Sequence, residues 1–181
     1  MKPIEVVSYP IRSHDLQSVE DGLSCVKTPF NFLTIAQMAP RKNLEQTISC
    51  FIDEFRDDEN VGLILKTHAQ NHSTLDKDLT ETMLFPAIRR CGERKCKVYH
   101  IHGDMKDEEI TGLISSPKVN AYYTTTFAEG FGLPIFDAVS AGVPVIAPKF
   151  SGHLDFLHIP RNSTSKKKDK DYLFESIYTE A

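Results

Sequence analysis

Residues 119–147 read VNAYYTTTFAEGFGLPIFDAVSAGVPVIA, and this stretch decides the fold class. Val119 to Tyr123 reads as a strand, Leu133 to Ala141 as a helix and Val143 to Ala147 as a second strand. Strand, glycine turn, helix and strand within about thirty residues make one βαβ unit. Such a unit joins parallel strands by a right-handed crossover.

Working outward from that unit, the same alternation runs back to Phe30. Phe30 to Gln37 reads as the first strand. A helix follows from Asn43, a plausible cap, with Leu44, Ile48, Phe51, Ile52 and Phe55 along one face. Val61 to Lys66 is a short strand of buried character. Leu75, Leu79, Met83 and Ile88 predict the inward line of a second helix, which Pro86 should bend or interrupt. Lys97 to Ile101 supplies a third strand, and Asp107 to Ser115 a helix with Ile110, Leu113 and Ile114 inward. The expected fold is α/β: a Rossmann-like open parallel sheet with helices on both faces.

One domain over residues 30–160 accounts for this pattern. Residues 1–29 hold Pro3, Pro10 and Pro29, with strand character only from Glu5 to Tyr9. They read as a linker or the remnant of a preceding segment. Residues 161–181 read as a polar, flexible loop and a truncated end. The run Lys166 to Lys168 reads as a solvated loop, with contact to a membrane surface as its alternative.

The 181 residues are 40% apolar and 25% charged, enough for one well-filled core. A formal net charge of −4 argues against a nucleic-acid binder, which needs a basic face. No stretch has the length of a signal peptide or a bilayer span, so a cytoplasmic, at most membrane-peripheral, protein is expected. Cys25, Cys50, Cys91 and Cys96 are too sparse for a disulfide scaffold. Cys91, Cys96, His100 and His102 invite a zinc reading, but the gap between the cysteines is loose for such a site. No metal and no cofactor are expected. The sequons at Asn71 and Asn162 would matter only in a secretory compartment.

The unusual polar residues fall at the carboxyl ends of the predicted strands. Arg41 and Lys42 follow the first, Lys66 to His68 the second, His102 to Asp104 the third, Thr124 to Gly132 the fourth and Lys149 to His153 the fifth. Open α/β sheets bind ligands along that edge. Within Glu129-Gly-Phe-Gly-Leu-Pro-Ile-Phe-Asp137, Gly130 and Gly132 allow close approach of the backbone, and Pro134 suits a first helical turn. Amides of that turn can donate to hydroxyl or phosphate oxygens. Glu129 and Asp137 can each accept two hydroxyl donors. An acidic first helical turn explains the same residues structurally. Cations for phosphates beside carboxylates for sugar hydroxyls nevertheless suggest a nucleotide-sugar or another phosphorylated sugar.

These residues also carry a family resemblance. Thr34-Ile-Ala-Gln-Met-Ala-Pro-Arg-Lys-Asn43, the Glu129–Asp137 segment, Ala141-Gly-Val-Pro-Val-Ile146 and Ser151-Gly-His-Leu-Asp-Phe156 together resemble retaining GT-B glycosyltransferases of family 4, the glycosyltransferase group 1 type. The likeness runs from about Phe30 to Leu157 and covers only the C-terminal, donor-binding half of that architecture. It implies a metal-independent hexosyltransferase whose donor is a nucleotide-diphospho-sugar. Glu129 would lie against the donor hexose, with the amides around Gly130, Phe131, Gly132 and Leu133 on its hydroxyls. Asp137 would grip the ribose from a position where the family usually has Glu. Lys42 would neutralise the diphosphate, with Thr126 donating to it and Arg41 beside Lys42 as a second cation. The family's usual upstream Arg is absent from Ala36-Gln37-Met38.

The resemblance also implies a partner half, an N-terminal acceptor domain that the residues before Phe30 do not supply. The chain is therefore expected to be incomplete and inactive alone. A non-catalytic nucleotide- or sugar-binding module is the alternative. A dinucleotide-dependent oxidoreductase is disfavoured, because Pro40-Arg41-Lys42 stands where a Gly-x-Gly-x-x-Gly turn would be.

Overall fold

The computed structural model describes Val19, residues 21–157 and the short segment Leu173–Phe174. The expectations for Glu5 to Tyr9, Asn162 and the Lys166–Lys168 run lie outside the described residues. Strands β1 (Phe30–Gln37), β2 (Val61–His68), β3 (Lys97–Ile101), β4 (Ala121–Tyr123), β5 (Val145–Pro148) and β6 (Leu173–Phe174) form one sheet in the order β3-β2-β1-β4-β5-β6. All pairings are parallel. The expected Rossmann-like parallel sheet is the fold found.

Alternating side chains send the strands' apolar residues to two faces. On one face, Phe32, Leu63, Leu65 and Ala121 pack with Ile48, Phe51 and Ile52 of helix α1 (Leu44–Phe55) and with Leu84 and Ile88 of helix α2 (Thr74–Arg90). On the other, Leu33, Ile64, Tyr122, Val145 and Ala147 pack with Leu113 and Ile114 of α3 (Asp107–Ile114) and Ile135 and Ala138 of α4 (Leu133–Ser140). Phe156 and Leu157 of α5 (Leu154–Leu157) join this second core. Leu23 and Val26 are buried in it too, so the described part of the stretch read as a linker contributes to the domain's core.

Several expectations need correction. Helix α2 was expected to turn Leu75, Leu79 and Met83 inward; they are 81%, 40% and 48% exposed. Its buried face is Asp76, Thr80, Leu84, Ala87 and Ile88. The reason lies at the helix entry. Ser73 caps the helix by accepting from Asp76 N, and Asp76 and Thr80 turn inward to accept the amides of Ala69 and Gln70. That demand fixes the helix rotation and leaves the apolar line outside. Pro86 does not interrupt α2, which runs to Arg90; it sits on the exposed side, where one missing N–H is tolerated. Asn43 stands at the start of α1 but does not cap it through its side chain. It adopts a left-handed conformation at φ 52°, and its amide donates to Thr125 O at 3.0 Å. β2 extends two residues past Lys66, and β4 begins two residues after Val119.

Candidate functional site

Strand order reverses between β1 and β4: the chain proceeds from β1 to β2 and β3, then returns to the other side of β1. Ligand crevices of open α/β sheets lie at such a reversal. Here β1 and β4 pair only at Phe32–Ala121 and Leu33–Tyr122. Beyond that point the ladder stops, and side chains take over its hydrogen bonds. The Tyr122 hydroxyl accepts from Ile35 N and donates to Ile35 O at 3.1 Å, while Thr34 Oγ1 donates to Tyr123 O. Backbone groups at the splayed strand ends are thereby satisfied, and the edge opens without leaving them bare. Burial raises the Tyr122 phenol well above its ordinary range; the Ile35 hydrogen bond opposes this, and the charges of Glu129 and Asp137 add to it.

The loops on either side of the opening are stitched together. After β1 the chain makes a 3₁₀ turn, Pro40–Lys42. Phe127 N donates to Arg41 O at 2.8 Å, and Thr126 Oγ1 donates to the same carbonyl at 3.1 Å. Thr47 and Thr125 hydroxyls meet at 2.8 Å below them. Thr126, expected to donate to a diphosphate, is fully buried, and its hydroxyl faces the Arg41 and Ala128 carbonyls. In this arrangement it holds the cation loop.

That stitching brings Lys42 against Glu129. The amine lies 2.6 Å from Oε1 and 2.7 Å from Oε2, with the two side chains 12% and 9% exposed. Arg41 reaches Glu129 Oε2 at 3.5 Å and donates to Ala128 O at 3.1 Å, but it is 56% exposed. Two residues that stand 87 positions apart in the chain are thus joined across the strand-order reversal.

The glycine turn is held from its other side by the loop after β5. Glu129 N donates to Ser151 Oγ, Ser151 Oγ donates back to Glu129 O, both at 2.8 Å, and Gly152 N donates to Glu129 O at 3.1 Å. Ser151 adopts φ 85°, a conformation side chains seldom take. Gly152 must be glycine: a Cβ there would lie 1.9 Å from Gly130 O. Gly132, at φ 88°, starts α4, and its carbonyl accepts from Ile135 N and Phe136 N. The amides of Phe131, Gly132 and Leu133 precede the first bonded turn, the place where helices receive polar oxygens. Phe131 is fixed in an aromatic trio with Phe136 and Phe156. Asp137 sits half-buried one turn along α4. His153, grouped with the strand-end cations in the sequence, is fully buried, with Nε2 on Pro148 O at 2.7 Å.

Beside Lys42 a crevice of about 240 Å³ extends toward β2 and β3. Lys66, His68 and His72 line it together with Asp104. Lys66 is buried and its amine donates to Gly103 O; burial lowers its proton affinity, with Asp104 opposing. His72 was not singled out in the sequence. Its signal was available in Ser73-x-x-Asp76, a helix-start signature that puts the preceding residues at the ligand edge. Ser151 lies in the strand-end cluster and the Ser151–Phe156 segment singled out in the sequence, but its grip on Glu129 depends on a positive φ that no local pattern shows. Cys96, part of the zinc reading, is buried in the α1–α2 core, and burial raises its thiol. Among the described residues no group of three or more His, Cys, Asp or Glu is placed to hold a metal ion. Among them too, no helix is long and apolar enough to cross a membrane.

Neither a protein-family model nor a curated protein sequence matches this chain. Solved structures do. The C-terminal domain of a glycosyl transferase group 1 family protein, LpcC from Francisella tularensis, superposes with a TM-score of 0.59 at 18% identity, over 76% of this chain and 66% of that one. HepE (Alr3699) from Anabaena, solved with UDP and glucose, gives 0.55 at 22% identity over 78% of this chain and 35% of that one. Sucrose-phosphate synthase from Thermosynechococcus elongatus gives 0.54 at 21%, over 80% and 34%. The match thus spans just under two thirds of the first of these chains and about a third of the other two. At these identities the likeness is one of fold, and that fold is the Rossmann-like α/β sheet of the C-terminal domains of GT-B glycosyltransferases.

Proposed function

We propose that this chain is the donor-binding half of a retaining glycosyltransferase, holding a nucleotide-diphospho-sugar across the β1–β4 opening. The observation that carries this reading is the Lys42–Glu129 pair at the strand-order reversal, beside a glycine turn that opens a helix. Fold neighbours solved with UDP and glucose or with UDP-glucose support the ligand class. In this reading Lys42 and Arg41 face the diphosphate. Glu129 and the amides of Phe131 to Leu133 face the hexose, Asp137 the ribose, and Thr126 holds Arg41 from beneath. Breaking the sugar–phosphate bond leaves charge on the diphosphate, and preorganised cations stabilise it as it develops, with no metal required. A hexose goes to an acceptor held by a second domain, so the chain alone binds its donor weakly and transfers nothing at a useful rate. Positioning of the acceptor supplies roughly 7–11 kcal/mol in such reactions.

Calorimetric titration with UDP-, GDP- and ADP-sugars, the bare diphosphates and NAD tests the reading. Lys42→Ala should weaken diphosphate binding by about 1.5–3 kcal/mol and hardly affect the nucleoside. Glu129→Gln should weaken only the sugar conjugate; bare diphosphate binding should hold or tighten, since Lys42 is no longer shared. Equal losses for all ligands in both variants, or no binding by folded protein at millimolar ligand, would sink it.

A further inference from the structure

We propose that His68 and His72 form an anion-binding wall of the donor crevice, facing Lys42, in which protonation of His68 makes this chain hold a nucleotide-diphospho-sugar more tightly as pH falls. The inference rests on the donor reading and adds a pH response to the same site. It starts from geometry. Both histidines line the crevice that Lys42 borders, one from the carboxyl end of β2 and one from the loop before α2. Their ring centroids are 4.2 Å apart. His72 Nδ1 is buried and has no hydrogen-bond partner among the described residues, an arrangement that costs free energy until something meets it.

Charges facing this pair come from every neighbouring element. Lys66 projects from β2 and Lys42 from the turn after β1. Asp76 faces His68 from α2, as does His102 from the end of β3, and these two bond each other at 3.0 Å. Asp104 lies 3.6 Å from His72 Nε2 and is largely exposed. Burial depresses the His68 pKa first, His72 and Lys66 add to it, and Asp76 pulls the other way. His68 is therefore uncharged at neutral pH in the empty crevice. Protonating His68 beside His72 and Lys66 is opposed by charge until an anion enters the crevice. A diphosphate entering the crevice supplies that anion and raises proton affinity. Binding then takes up protons, and by linkage the affinity climbs as pH falls below the ordinary histidine value of about 6.5.

UDP-glucose is a suitable probe, since its diphosphate diester does not titrate in this range, whereas the terminal phosphate of UDP does. Calorimetry between pH 8 and pH 5.5, with circular dichroism confirming the fold at each pH, should show affinity rising by about three- to tenfold, within the limit of roughly tenfold per pH unit for each proton taken up. Repeating one low-pH titration in buffers of different ionisation enthalpy should show net proton uptake. His68→Asn and His72→Asn, singly and together, should reduce the slope and the uptake. A flat wild-type profile, or a slope that survives in the double variant, overturns the proposal while leaving the donor reading standing. Absence of binding by any sugar nucleotide at every pH overturns both.

Discussion

Helices α1 and α2 lie side by side on one face of the sheet, each entering from a loop at the carboxyl edge, yet their sequences specify their rotation by opposite means. In α1 the apolar residues decide: Leu44, Ile48, Phe51 and Ile52 are buried, as helical spacing demands. Its entry residue, Asn43, is free to bond elsewhere, and it ties the Lys42 turn to Thr125. In α2 the polar residues decide. Asp76 and Thr80 must meet the amides of Ala69 and Gln70, so they are buried while Leu75, Leu79 and Met83 face water. An unsatisfied buried amide costs about 1–3 kcal/mol, which rivals the burial of one leucine. The difference teaches that a helix next to a ligand loop is oriented by the loop's hydrogen bonds as well as by the core.

Core truncation is the strongest way to break that comparison. Leu84→Ala in α2 and Ile52→Ala in α1 each remove a fully buried side chain and should each cost about 2–5 kcal/mol, read from urea unfolding. A cost below 1 kcal/mol for Leu84 would mean that α2 is rotated the other way. Asp76→Asn should come next and sharpen the account through pH. Burial pushes the Asp76 carboxyl up, but the His102 hydrogen bond and the amides of Gln70, Asn71 and Ala69 outweigh it and hold it well below the ordinary range. A depressed carboxylate contributes stability that is complete above its unfolded value, about 3.9, and drains away as pH falls toward the folded value. Wild type should therefore lose more stability between pH 7 and pH 3 than Asp76→Asn does; equal losses would remove Asp76 from the argument. The smallest effect belongs to the exposed line. Leu75→Ser and Met83→Ser should stay within about 0.5 kcal/mol of wild type.

The contrast also marks what the sequence could disclose. The parallel sheet was legible because Phe30–Gln37, Val61–His68 and Val145–Pro148 are short apolar runs separated by helix-length segments. The placement of Lys42 and Glu129 at one edge followed from the same alternation, since each lies in the loop beyond the carboxyl end of a strand, and that of Asp137 from the helix the second loop opens. Rotation of α2 was hidden, because apolar periodicity favoured the face that Asp76 overruled. The Lys42–Glu129 contact was hidden for another reason: it depends on Thr126 and Phe127 gripping the Arg41 carbonyl, a long-range match with no local pattern. Ser151 was legible as part of a motif, but its grip on the Glu129 backbone was not, because that grip is conformational.

The pairing of Lys42 with Glu129 has a kinetic consequence. Opposite charges less than 3 Å apart present a dipole to the solvent, whose field fades much faster with distance than that of a lone cation. The diphosphate of the proposed donor would therefore be little drawn by Lys42 from afar. It would first meet Arg41, whose side chain is more than half exposed. Salt should act on that encounter mainly through Arg41, because the field of the Lys42–Glu129 pair has faded within the screening length of about 10 Å at 0.1 M. On the donor reading proposed above, selection at Lys42 would fall to the moment when it trades a carboxylate for a phosphate, and so to residence time rather than to encounter.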